Sequence, residues 1–170
     1  MIRSYDNLAP RIAFSAWVAP TAVVVGDVEI GEDSSIWYGC VVRGDVFHVR
    51  IGARTNVQDM TVIHVTHERY PTILHDDITV GHRAVLHGCT VESRALIGIG
   101  AVVLDQAVIG EGALVAAGSL VTPSTRVPCG MMVMGAPARV VREVTDAERA
   151  WMAESSRNYV EYARRHAAAG

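Results

Sequence analysis

An aliphatic residue returns every six positions through most of this chain. The series runs Val24, Ile30, Ile36, Val42, then Ile51, Val57, Ile63, then Val80 and Leu86. After a slip of one it continues as Val91, Ile97, Val103, Ile109, Val115 and Val121. Glycine often follows, as after Ile30, Ile51, Ile97 and Ile109. A period of six matches neither the helical repeat of 3.6 nor the alternation of a half-buried strand. It matches a solenoid in which each hexad is one short strand and a corner.

The hexads occupy about 18–128 of a chain read as a single domain, 1–170. Residues 1–15 read as an irregular lead-in. Thr122-Pro123-Ser124 through Pro128-Cys129-Gly130 breaks the pattern and is expected to end the solenoid. Residues 131–141, with Gly135-Ala136-Pro137-Ala138, read as an extended connector. Thr145-Asp146-Ala147-Glu148 has the form of a capping box, which predicts one C-terminal helix over about 146–166. Ala147, Trp151, Ser155, Tyr159, Tyr162 and His166 share a face at helical spacing, and that face is expected to dock.

Composition narrows the picture. Half the residues are hydrophobic, only 6% are aromatic, and there are 15 glycines, as a narrow core of small and β-branched side chains requires. A net charge of −3 gives no reason to expect nucleic acid or an anionic membrane. No apolar run reaches the length of a membrane span, and no apolar segment follows Met1-Ile2-Arg3. Three cysteines without a C-x-x-C pair suit a reducing cytoplasm and read as small buried hydrophobes. The expected location is therefore cytoplasmic.

The histidines carry the candidate chemistry, six of the seven lying between His48 and His87. If three hexads make one coil, residues 18 apart stack about 4.8 Å from one another. Val42 to Ile63 is one coil plus three residues, and Ile63 to Leu86 is one coil plus five. With the extra residues looped out, Arg43, His64 and His87 form a ladder on one face. The same count puts Asp59 beneath His82 on a different face. The three imidazoles then converge only if two chains meet, one giving His64 and His87 and the other His82; three prisms about a threefold axis fit best. Three neutral imidazoles with an open fourth position describe a catalytic metal site. Arg43, Asp45, Asn56, Gln58 and Asp59 are candidates for the surrounding shell. His48, His67 and His75 also read as loop residues, and Arg43 with Asp59 as an intersubunit salt bridge.

Arg43-Gly44-Asp45, Asn56-Val57-Gln58-Asp59, His64, Gly81-His82 and Leu86-His87-Gly88-Cys89 together resemble the gamma-class carbonic anhydrases, over nearly the whole chain. The resemblance implies a mainly β fold, a left-handed parallel β-helix (hexapeptide-repeat solenoid) with a C-terminal α-helix, assembled as a homotrimer with metal between subunits. It implies reversible hydration of CO2 to bicarbonate by metal-bound hydroxide, with Zn2+ as the metal and Fe2+ or Co2+ as alternatives. His64, His82 and His87 would be the ligands. Gln58 would orient the reacting oxygen, and Asn56 would line the site. Arg43, Asp45 and Asp59 would tie subunits together, and Tyr159 would reach the pocket. The chain departs from the family pattern at Val46 and His67, where better-studied members carry acidic residues. His67 becomes the candidate proton shuttle. Two other classes stay open: a hexapeptide-repeat acyltransferase, and a catalytically weak metal-binding trimeric scaffold.

Overall fold

The computed structural model describes residues 1–169. Its body is a parallel β-solenoid of triangular section followed by one helix, Asp146–Ala168. A twelve-stranded sheet wraps two faces, because the long strands Val23–Ile30 and Val41–Ile51 bend around the corner between them. An eight-stranded sheet makes the third face. All fifteen aliphatics of the six-residue series are buried, none more than 3% exposed. Each stacks on its counterpart one coil away: Val42 on Ile63 on Leu86, and Val57 on Val80 on Ile97. The core is thus three aliphatic columns whose area leaves water together, the main favourable term in a fold of this kind.

Glycine follows the inward aliphatic because coils approach most closely there. A Cβ on Gly98 would overlap the backbone nitrogen of Ala117 in the next coil.

Both insertions fall at the same corner. Between Gly26–Gly44 and Val28–Val49 the register shifts, so the longer strand carries its three extra residues just after Gly44. The other five lie between Val62–His64 and Thr72–Leu74, where Thr66 and Tyr70 close a turn. Leu74, absent from the six-residue series, is the inward residue of its coil and stacks between Ile51 and Val91. The turn hid its phase.

Three expectations need correction. The lead-in is not wholly irregular: Ile2–Arg3 and Arg11–Ile12 pair in parallel with the first long strand, extending the solenoid backwards. The solenoid does not end at Thr122–Gly130. Arg126–Val127 continues the second face, and Met131–Gly135 adds a parallel strand beside Leu114–Val115. Pro123 and Pro128 sit in corners, outside the strands, where no ladder N–H is required. The expected connector is an antiparallel hairpin, Met131–Gly135 with Ala138–Glu143.

The helix begins with the anticipated capping box. The Glu148 N–H donates to Thr145 Oγ1 at 3.2 Å and the Thr145 N–H donates to Glu148 Oε2 at 2.8 Å. Its fully buried residues lie one position along from several members of the expected face. Met152, Ser156 and Ala163 are buried, whereas Trp151 and Tyr162 stay exposed at its margin. Ser155, Tyr159 and His166 of the expected face still meet the solenoid, Ser155 at Thr79 and the two rings at Trp37.

Truncating one column tests this packing. Ile97→Ala is expected to lower unfolding stability by about 2–5 kcal/mol, read by chemical denaturation, because a rigid coil collapses little around the void.

Candidate metal centre

The parallel pairing of Val85–His87 with Val62–His64 sets His87 beside His64. Their rings stand 5.2 Å apart, with His64 Nδ1 and His87 Nε2 at 3.2 Å. Each ring's other nitrogen is committed to a carboxylate: His64 Nε2 to Asp45 Oδ1 at 3.0 Å, and His87 Nδ1 to Asp105 Oδ1 at 2.6 Å. These partners assign the tautomers, since an ionised carboxylate only accepts. Two neutral imidazoles so held turn bare lone pairs toward each other. Such an arrangement is relieved by a shared cation. The separation also fits one, because two nitrogens at 2.0–2.1 Å from a tetrahedral zinc lie about 3.3–3.4 Å apart.

Electrostatics favour the neutral state of His64. Burial pushes His64 below the ordinary imidazole value and Arg43 adds to this, against the opposing effect of its hydrogen bond to Asp45. Burial would raise the Asp45 carboxyl, but bonds from Arg43 and His64 outweigh it and hold the group low. Arg43 and Asp45 form a direct ion pair.

The strands are also clamped through Thr72. Its hydroxyl donates to the His64 carbonyl at 2.5 Å and accepts from the Gly88 N–H at 2.9 Å. Neither Asp105 nor Thr72 was among the sequence candidates. A signal for Asp105 existed, for it lies 18 residues, one whole coil, beyond His87.

His82 stands at another corner, after Thr79–Val80 of the third face. Its Nδ1 meets Asp59 Oδ2 at 2.9 Å, which is the stacking obtained by counting. Among the described residues no three His, Cys, Asp or Glu side chains within one chain are placed to hold a metal. His64 and His87 are therefore brought together, and His82 is not brought to them.

Gln58 and Asn56 belong to a buried polar run on the third face. Gln58 Nε2 donates to Asn56 Oδ1 at 3.1 Å, and Asn56 Nδ2 donates to Thr79 Oγ1 at 3.0 Å. Thr79 Oγ1 in turn lies 3.2 Å from Ser155 Oγ on the helix. Gln58 and Tyr159 line a cleft of about 610 Å³ between helix and sheet, with Leu96, Leu114 and Trp151 among its apolar walls. Burial, reinforced by the charge of Asp59, raises the Tyr159 phenol above its usual value. Tyr159 also meets Trp37 edge-on at 5.2 Å.

His67 is an exposed residue of the Thr66–Tyr70 turn, its nearest carboxylate being Glu68 at 4.0 Å. Val46, by contrast, packs against the core. His75 pairs with Glu92 at 3.5 Å, and Phe47 lies against His48. No helix among the described residues is long and apolar enough to cross a membrane.

These features define a class, a hexapeptide-repeat β-solenoid with two carboxylate-backed histidines at one corner and a third at another. Known proteins carry the same pattern. Residues 9–44 and 88–123 match the bacterial transferase hexapeptide (six repeats) family. Gamma carbonic anhydrase 1, mitochondrial, of Arabidopsis thaliana is 50% identical over 165 residues, which cover 94% of this chain and 60% of that protein. The chain thus spans about 60% of the length of this relative. Carbonic anhydrase of Geobacillus kaustophilus is 44% identical over 161 residues, covering 95% of this chain and 88% of that one. The crystal structure of a candidate acetyltransferase from Bacillus cereus superposes with a TM-score of 0.97 at 44% identity, covering 99% of this chain and 98% of that chain. The chain belongs to the gamma carbonic anhydrase family of hexapeptide-repeat proteins.

The cysteines divide into two kinds. Burial pushes the Cys40 thiol up to about 11 and the Cys89 thiol up to about 12, while Cys129 is exposed, contrary to the expectation of three buried thiols. Alkylation of native protein at pH 8 is expected to add one label per chain, at Cys129, and three after denaturation, counted by mass spectrometry.

Proposed function

We propose that this protein is a metal-dependent carbonic anhydrase interconverting CO2 and bicarbonate, with His64 and His87 of one subunit and His82 of a neighbour as ligands. One observation carries the reading: His64 Nδ1 and His87 Nε2 face each other at 3.2 Å, and the other nitrogen of each ring lies on a carboxylate. A bound Zn2+, or Fe2+ or Co2+, would supply Lewis acidity, bringing the pKa of water to about 7 as established for three-histidine zinc in other carbonic anhydrases.

The remaining roles follow from the side chains. Gln58 has its amide nitrogen spent on Asn56, so its carbonyl oxygen is the end that accepts from a reacting water. Asp45 and Asp59 hold the imidazoles of His64 and His82 in fixed tautomers. Arg43 keeps Asp45 ionised. Val46 contributes no carboxylate, so His67, an exposed imidazole on the turn beside the site, takes protons out to buffer.

A homotrimer is supported by the outward side of the first face. Val23, Val41, Val62, Val85, Val102 and Leu120 stack there in register, and none of the six is buried. The outward side of the second face instead carries Glu29, Arg50 and Arg126. A continuous apolar stripe of this kind favours association. Closing three copies around it gives every ligand pair a neighbour.

The cleft of about 610 Å³ is far larger than CO2 requires, which favours a second reading, an acyltransferase whose acyl-CoA arm occupies it. A trimeric scaffold that binds metal with weak turnover is the third.

Assembly and stoichiometry test the first reading. Anaerobically purified protein is expected to be a trimer with three metals. His82→Ala and His64→Ala are each expected to abolish metal uptake, whereas mixed assemblies of the two recover part of it. Recovery of none, with the unaltered protein binding normally, overturns the shared site. CO2 hydration by zinc- or iron-loaded protein separates enzyme from scaffold, and acyl transfer by metal-stripped protein would favour the transferase. His67→Ala is expected to lower kcat, leave kcat/KM unchanged and respond to added imidazole buffer.

A further inference from the structure

Asp105, described above only as the carboxylate on His87, is held at both oxygens. Oδ1 accepts from His87 Nδ1 at 2.6 Å, and Oδ2 accepts from Thr66 Oγ1 at 3.0 Å. Thr66 is itself fixed, because its N–H donates to the Tyr70 carbonyl at 3.0 Å and its carbonyl accepts from Arg69 N–H at 3.1 Å. Gly88 makes the approach possible. It adopts φ +57°, and a Cβ there would overlap Asp105 Oδ1 and press on Tyr70. The turn inserted between the two histidine strands is thereby joined to the back of His87 through a single carboxylate.

The contrast with Asp45 is chemical. Asp45 shares its charge with Arg43, whereas the second partner of Asp105 is a neutral hydroxyl.

We infer that Asp105 is a positioning residue, fixing His87 as the Nδ1–H tautomer with Nε2 directed at His64, and that Thr66 holds the carboxylate in the rotamer which does this. The inference rests on the metal-site reading for its functional consequence, but not for its geometry. A carboxylate free at one oxygen would swing about its side-chain torsions. Held at both, it leaves His87 one hydrogen-bonded orientation.

The test compares Asp105→Ala, Asp105→Asn and Thr66→Val with unaltered protein in two measurements. Zinc affinity is read by competition with a chelator, and the His87 tautomer by nitrogen-15 NMR of the metal-free protein. Asp105→Ala is expected to weaken zinc binding by about 10- to 100-fold and to leave His87 a mixture of tautomers. Asp105→Asn keeps an acceptor oxygen, so it is expected to retain the tautomer and lose less affinity. Thr66→Val removes one hydrogen bond, expected to cost about 3- to 10-fold in affinity. If Asp105→Ala fails to fold, Asp105→Asn and Thr66→Val carry the comparison. Unchanged affinity and an unchanged tautomer in the variants overturn the inference. If unaltered protein takes up no zinc, or His87→Ala binds it equally well, the metal-site reading fails instead. The tautomer in metal-free protein then still decides whether Asp105 fixes His87.

Discussion

The facing of two bare imidazole nitrogens is the constraint on which the rest depends. Left to themselves, two neutral histidines at 3.2 Å would share one N–H in a hydrogen bond. Here both N–H groups are taken, by Asp45 and Asp105. The acidic residues behind the pair are what hold its rings in this arrangement. Removing them would leave the rings near each other but free to bond with one another, a different object chemically.

A solenoid suits this task because its register is rigid. Coils stack through three aliphatic columns and a ladder of backbone bonds, so a residue one coil away is placed to within a strand spacing. The price is uniformity, since a perfect repeat offers no concavity. Both irregularities of this chain fall at one corner, where three extra residues follow Gly44 and five extra residues lie within the segment between His64 and Thr72. That corner bears both paired histidines. The second insertion also returns to the site, through Thr66 to Asp105 and through Thr72 to the strands themselves.

His82 stands apart for the same reason. It lies at the end of the third face, with Asp59 behind it as Asp45 and Asp105 stand behind the others. Each histidine is thus prepared alike, but no single coil path joins all three. The apolar stripe on the first face lies between the two corners.

The sequence by itself determined the solenoid, the burial of its fifteen aliphatics, the capped helix, the stacking of His87 on His64 and of His82 on Asp59. All follow from counting, because period and register are local properties of the chain. It misplaced what counting cannot reach. Leu74 was lost behind the inserted turn, the solenoid ran further at both ends, and the helix buries Met152, Ser156 and Ala163 beside the expected face, whose Ser155, Tyr159 and His166 also touch the solenoid. Asp105 was one coil from His87 and still went unread, since many residues are one coil from something. Only the tertiary structure decided which carboxylate meets which nitrogen, hence which lone pairs remain bare. Hydrogen bonds of this kind depend on side-chain direction and on distances of a few ångströms between segments far apart in sequence, and no periodicity encodes those.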